Sequence, residues 1–332
     1  MSAQLQNKNI LITGANGGIG LETAKQLIGL NPKKVLLACR DIAKANYAVS
    51  ALTPSLTNNT ELVPVSGFDM LDINSLNEAV ERLPNEEMID IVFLQAGGVT
   101  FTSDYQFIKH QNHSIERTIF QNAFGGYLVI KALIERNLLS VNARIVFMGG
   151  EGARGIKGMI DTPNFSDFTT LRSYIENGTP KYNPMNAIGV SKLVSALICS
   201  QLAEMDSLRE YVWFTPGLTS GTNGLDSMPG LKRVMMKKVM FPLITAMGLA
   251  QSAEGAAKKC VKAITGEIGK SGDILGSPEG KAHGKTVDQK PMNPAFTNLK
   301  LHQDLFNYLE QHFGEVQWDT STPKFTATGT QG

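Results

Sequence analysis

No stretch of this sequence is apolar for the ~20 residues that a membrane-spanning helix needs. Charge of one sign is also missing. The 31 lysines and arginines stand against 30 aspartates and glutamates, leaving a formal net charge of +1. A nucleic-acid binder would carry a basic face or run, so that class is excluded. The opening Met-Ser-Ala-Gln-Leu-Gln-Asn-Lys has no apolar signal core; the expected location is cytoplasmic. Cysteine is scarce. Cys39, Cys199 and Cys260 are odd in number, widely spaced and without metal-like pairing, which reads as buried thiols in a reducing compartment. No internal repeat and no Pro- or Gly-rich linker divides the chain. Its 332 residues suffice for a large core, since roughly 75% of the unfolded surface can be buried at this size.

What the chain does have is alternation. Strands are expected at Ile10–Thr13, Val35–Cys39, Leu62–Gly67, Ile89–Leu94, Arg144–Met148, Tyr211–Thr215 and, more weakly patterned, Asp273–Leu275. Helical patterns lie between them near 20–30, 41–53, 73–83, 112–138, 185–205 and 252–265. Such alternation implies right-handed βαβ units and an α/β fold, a doubly wound parallel sheet of about seven strands with helices on both faces. One domain is expected over residues 1–318, with a polar, disordered tail at 319–332. Two insertions, 151–184 and 220–250, lie beyond strand ends, where open α/β sheets keep their ligands. The second holds Met228, Met235, Met236, Met240 and Met247 beside Lys232, Arg233, Lys237 and Lys238. Those methionines form either a flap over an apolar ligand or ordinary core. The basic residues would let such a flap rest on a membrane surface.

The most informative segment is Asn-Ile-Leu-Ile-Thr-Gly-Ala-Asn-Gly-Gly-Ile-Gly at 9–20. A short buried strand runs into Gly14, Gly18 and Gly20, and a helical pattern follows from Leu21 to Leu30. Glycines let the backbone approach a pyrophosphate, and the free amides of a helix start attract its charge. The end of the second strand selects the cofactor. An NAD site wants a carboxylate there for the ribose 2′-hydroxyl, but Cys39 holds that place and Arg40 follows. A guanidinium pairs bidentately with a 2′-phosphate, so NADP is expected. The other reading makes Arg40 an exposed helix-start residue paired with Asp41.

Thr13-Gly14-x-x-x-Gly18-Ile19-Gly20, with Asn16 between the glycines, resembles the short-chain dehydrogenase/reductase family, whose members share the Rossmann-type sheet. Gly67-Phe68-Asp69-Met70 resembles the family's Asp-Leu step at the adenine. Gln95-Ala96-Gly97-Gly98 is similar to its Asn-Ala-Gly turn, with Gln for Asn. Pro216-Gly217-Leu218-Thr219-Ser220-Gly221-Thr222 is similar to the segment that meets the nicotinamide carboxamide, with either Thr219 or Thr222 as its threonine. Ala38-Cys39-Arg40-Asp41, the long insertion and the Leu301–Phe313 helix resemble the branch of retinol dehydrogenases and protochlorophyllide reductases, whose substrates are large and apolar. The resemblance further implies catalytic roles for Asn122 and Lys192, with Lys192 also on the nicotinamide ribose. Family members commonly pair through the helices at 112–138 and 185–205, which implies a homodimer or tetramer.

Two expected side chains are missing. The family's tyrosine, four residues before the lysine, is Ile188 here, and its serine is Gly150. Isoleucine has no ionisable proton and glycine no hydroxyl. General acid–base help is worth ~10² to 10⁴ in rate. Glu151 could substitute or be a solvated loop carboxylate. Tyr174 and Tyr182 could enter from the insertion or simply pack. His110, His113 and Glu116 have helical spacing, read as a proton relay, metal ligands or ordinary surface groups; no metal site is expected. Arg154 and Lys157 could receive an acidic group or be solvated. The expected function is an atypical NADP-dependent reductase of a bulky apolar, conjugated substrate. The alternatives are a non-catalytic NADP-binding sensor or scaffold, and a lyase or isomerase that keeps the cofactor.

Overall fold

The computed structural model describes residues 5–85, 87–179, 181–220 and 250–318. The 220–250 flap, with all its methionines and Thr222, lies outside the described residues but for its end positions, as does the tail at 319–332. The strands are β1 (Asn9–Thr13), β2 (Lys34–Ala38), β3 (Glu61–Val65), β4 (Ile89–Leu94), β5 (Phe107–His110), β6 (His113–Glu116), β7 (Leu139–Met148), β8 (Glu210–Phe214), β9 (Ile274–Gly276) and β10 (Val287–Asp288). Eight of them form one sheet in the order β10-β9-β8-β7-β4-β1-β2-β3. All pairings in it are parallel except the last, β9 with β10. The antiparallel edge strand β10 is the one beyond the seven expected. The chain winds outward from β1 in both directions, so the crevice between β1 and β4 is the point at which strand order reverses.

The helices are α1 (Gly18–Ile28), α2 (Ile42–Leu52), α3 (Ile73–Glu81), α4 (Arg117–Ile119), α5 (Gly125–Glu135), α6 (Phe168–Asn177), α7 (Pro184–Met205), α8 (Ala253–Ile264) and α9 (Leu299–Phe313). Their starts follow local chemistry. Asp41, Asp72, Asp167 and Ser252 each accept a first-turn amide, and Asn183 caps α7 with Pro184 at its first turn. Two apolar clusters fill the faces of the sheet. One holds Phe93, Val146, Val212 and Phe214 with residues of α1, α2 and α8. The other holds Trp213, Tyr211, Phe120, Phe124 and the apolar faces of α5, α7 and α9.

Two expectations need correcting. The helix read over 112–138 is instead the β5–β6 hairpin, then α4, a π-helical turn at Phe120–Phe124, and α5. The turn has a cause: Asn122 Nδ2 donates to the Thr118 carbonyl at 2.8 Å, so the side chain takes an acceptor from the helical ladder. The second concerns apolar length. Helix α7 is long and apolar enough to cross a membrane, the one such helix among the described residues, but 67% of that stretch is buried inside the fold. It is a core helix, packed on β8 and α9.

Below the sheet end, Asp206 is fully buried and accepts from Arg209 Nη1 at 3.0 Å, Tyr211 Oη at 2.7 Å and Leu208 N at 3.0 Å. Asp206→Ala removes three buried hydrogen bonds and one carboxylate partner of the buried Arg209 guanidinium. The expected loss is about 3–5 kcal/mol in urea unfolding; a loss below about 1 kcal/mol would show the network to be dispensable.

Candidate active site

The crevice is set by one hydroxyl. Thr13 Oγ accepts from the amides of Gln95 and Ala96, each at 3.0 Å, tying the end of β1 to the loop after β4. Directly after it the backbone turns at Gly14 and Gly18, with φ of 69° and 53°. A Cβ on Gly14 would lie 2.8 Å from Gln95 Oε1, and one on Gly20 only 2.3 Å from it. Helix α1 then starts at Gly17 with no side-chain cap, leaving its first-turn amides for a ligand.

A groove of about 530 Å³ follows this turn, lined by Gly14, Asn16, Gly18, Ile19, Arg40, Asp69, Met70, Ala96, Gly97, Asn122 and Lys192 among others. It meets a second cavity of about 270 Å³, lined by Gly149, Gly150, Ile156, Met159, Ile160, Met185, Pro216, Gly217 and Thr219 among others. Ile19, Val99, Met148, Ile188 and Lys192 line both. A polar trough therefore opens into an apolar pocket.

Lys192 is the titratable residue at the junction. One turn after Ile188 on α7, it shares that residue's face. Its Nζ donates to the Met148 carbonyl at 2.8 Å, and burial lowers its pKa to about 8. A Cβ on Gly150 would lie 3.0 Å from Lys192 Cγ, so the lysine stem fills the space beside that glycine. Gly149 is held by another neighbour: its Cβ would meet the Trp213 ring at 2.6 Å. Asn122 is locked to Gly98, donating to its carbonyl at 2.8 Å and accepting from its amide at 3.0 Å.

The short chain dehydrogenase profile matches residues 8–161, the part that carries the glycine turn and most of the groove. Mouse retinol dehydrogenase 12 is 29% identical over 203 residues, which are 61% of this chain and 58% of that protein. A short chain dehydrogenase of Emericella nidulans is 25% identical across 81% of this chain and 83% of its own length. The fold is shared with a short-chain dehydrogenase/reductase of Serratia marcescens, at TM-score 0.55 and 16% identity, over 81% of this chain and 95% of that one. The first part of the chain is thus similar to short-chain dehydrogenases/reductases, and the fold is theirs.

Most residues singled out in the sequence converge on the two cavities. Thr13 and Gly20 are not among the lining residues; they stand behind the groove and shape it. Thr222 lies outside the described residues, whereas Thr219 lines the pocket and donates to the Gly217 carbonyl at 2.9 Å. Arg40 is exposed, and Asp41 caps α2 and pairs with Lys44. Sequence reasoning missed Lys44, Thr100, Arg117 and Gln121 in the groove. It also named none of Ile156, Met159, Ile160 and Met185, although their apolar character inside a polar insertion was a usable signal.

Three expectations are overturned, and for the two tyrosines the packing alternative holds. Glu151 is not solvated: it is 4% exposed, bound by Arg154 at 2.8 Å, Ser277 N at 2.9 Å and Gln289 Nε2 at 2.6 Å, and burial raises its pKa. Arg154 is buried in the same network and receives no ligand; Lys157 is exposed. Tyr174 is buried on α6 against Tyr105, and Tyr182 donates to the Thr100 carbonyl at 2.6 Å; neither lines a cavity. His110, His113 and Glu116 have helical spacing but sit on the β5–β6 hairpin and not on a helix, and Glu116 accepts from the Ile119 amide.

The lysine generates a test. Its folded pKa of about 8 lies below the ordinary 10.5, so between those values the unfolded chain binds more protons than the folded one. Stability then rises with pH across that window and is unaffected by this group below it. Relative to Lys192→Met, the wild type should gain about 2–3 kcal/mol from pH 8 to pH 10.5 in urea unfolding. Parallel stability curves for the two proteins would remove the buried ammonium from the account.

Proposed function

We propose that this chain is a short-chain dehydrogenase/reductase that binds NADP and exchanges hydride with a bulky apolar, conjugated substrate without a tyrosine acid. The observation that carries the reading is the glycine-turned groove opening into an apolar pocket at Lys192. A nicotinamide dinucleotide fits the residues present: left-handed Gly14 and Gly18, and a helix start without a side-chain cap that borders the groove. When bound, that cofactor supplies two-electron hydride chemistry. Gly14, Asn16, Gly18 and Ile19 would hold its pyrophosphate, Asp69 and Met70 its adenine, and Ala96 and Gly97 the middle of its length. Arg40, with Lys44 nearby, would take the 2′-phosphate, since Cys39 offers no carboxylate to a free hydroxyl. Pro216, Gly217 and Thr219 would meet the carboxamide, and Lys192 the nicotinamide ribose.

The rest follows from the chain's own side chains. Ile188, Ile160 and Met185 exclude water and favour an apolar substrate face. Lys192 Nζ holds an exchangeable proton between the two cavities, with a pKa of about 8 suited to release near neutral pH. Asn122 fixes the Gly98 backbone that borders both the groove and the helix. Glu151 also borders the apolar pocket, but both its oxygens accept hydrogen bonds from Arg154, Ser277 and Gln289, which commits it to that buried network. A substrate whose conjugation spreads negative charge has least need of the missing phenol.

A second reading is a non-catalytic NADP sensor or scaffold. Glycine at 150 and isoleucine at 188 favour it, since neither offers a hydroxyl to a reacting oxygen. Single-turnover oxidation of bound NADPH by an apolar enone or enal separates the two readings.

Fluorescence titration with NADPH and NADH tests cofactor choice. Arg40→Ala should weaken NADPH binding about 10- to 100-fold, the loss of one charge-assisted pair, and leave NADH unchanged. Equal affinities for both cofactors before and after substitution would overturn the NADP assignment. Ile188→Tyr should raise NADPH-dependent reduction of an apolar aldehyde by ~10² or more. No gain in a folded variant that still binds NADPH would count against the site as a hydride-transfer centre.

A further inference from the structure

The β5–β6 hairpin reaches past the groove to the last turn of α9 and the end of α6. There His113, Glu176 and His312 each offer one ligand atom, and these atoms lie within 4.8 Å of one another. The two imidazole rings are 4.0 Å apart between centroids, at 63°. His312 is only 5% exposed. Its Nδ1 lies 2.6 Å from the Tyr308 carbonyl oxygen. A carbonyl can only accept, so Nδ1 carries the proton and Nε2 keeps its lone pair. That Nε2 is buried and has no hydrogen-bond partner.

A histidine whose one nitrogen donates to a backbone carbonyl, while the other presents a free lone pair, is arranged as metal-binding histidines are. We propose that His113, Glu176 and His312 bind one divalent transition-metal ion of the zinc type, at a site separate from the dinucleotide groove. Two imidazole nitrogens and one carboxylate oxygen are a donor set that zinc accepts, with water completing a tetrahedron. Bonds of about 2.0–2.2 Å require the three atoms to draw closer than they now stand. His113 and Glu176 are half-buried and can swing toward the fixed His312. Glu176 would release Arg172, whose Nε donates to it at 3.0 Å and whose side chain is 52% exposed. His110 stays out of the set: its Nε2 donates to the His312 carbonyl at 3.1 Å, and its ring packs on Phe313.

The ion would staple three elements that are remote in sequence, tying α9 to the hairpin and to the insertion that borders the apolar pocket. The test uses the full chain, stripped with chelator, desalted and titrated with zinc chloride by calorimetry. Cobalt(II) in a parallel titration supplies visible absorption bands. The expected result is about one ion per chain, tetrahedral cobalt bands, and a rise in melting temperature on metal addition. His113→Ala and Glu176→Gln should each weaken zinc binding at least about tenfold and abolish that rise. Should His113→Ala not fold, Glu176→Gln decides alone, because that side chain lies near the surface. Absence of stoichiometric binding at micromolar zinc, or equal affinity in wild type and folded variants, would overturn the proposal.

Discussion

The two amides that converge on Thr13 Oγ hold the rest of the site in register. Parallel strands diverge at their carboxyl ends once the chain leaves the sheet, and a crevice between them has no width of its own. Here one hydroxyl, itself buried, fixes the loop after β4 against the end of β1. The Gln95 side chain then reaches under the glycine turn, close enough that neither Gly14 nor Gly20 can carry a Cβ. The groove, the start of α1 and the loop that Asn122 grips all take their positions from that clamp. Nothing in it touches a ligand, yet a ligand would meet only surfaces that it sets.

The parallel sheet and the glycine turn were legible because both are local. A buried strand followed by Gly14, Gly18 and Gly20 can be read within twenty residues, and β–α alternation repeats the signal along the chain. The region 107–124 was misread because its helical spacing is real but the chain there serves distant partners. His113 faces His312, and Asn122 spends its amide on Gly98 and Thr118. Glu151 misled for a similar reason. Arg154 is a local partner, but Ser277 and Gln289, which complete its burial, lie more than a hundred residues away. Helix α6 did leave a local trace in Asp167, Leu171, Tyr174 and Ile175, a cap and an apolar stripe that its polar surroundings obscured.

The residues at 149 and 150 are shaped by packing as much as by chemistry. Gly149 lies against the indole of Trp213, which is itself held by a bond from Nε1 to Ser195 Oγ at 2.8 Å. Gly150 lies under the stem of Lys192. Restoring a hydroxyl at 150 would therefore shift the lysine that joins the two cavities. At 188 the isoleucine faces both cavities with nothing of that kind to displace. The two positions are unequal in structural terms: Gly150 is embedded in its surroundings and Ile188 is a side chain facing both cavities.

The three thiols make the molecule a reporter of its own opening. Cys39 and Cys260 lie in the apolar cluster on one face of the sheet, and Cys199 in that on the other. All are free, all are at most 1% exposed, and burial raises each thiol well above its ordinary pKa. A thiol that is neither ionised nor reachable reacts only when its surroundings part. The pace at which an alkylating reagent marks each position then clocks the breathing of β2's end, α7 and α8 separately. Oxidants of thiols meet the same barrier at all three positions.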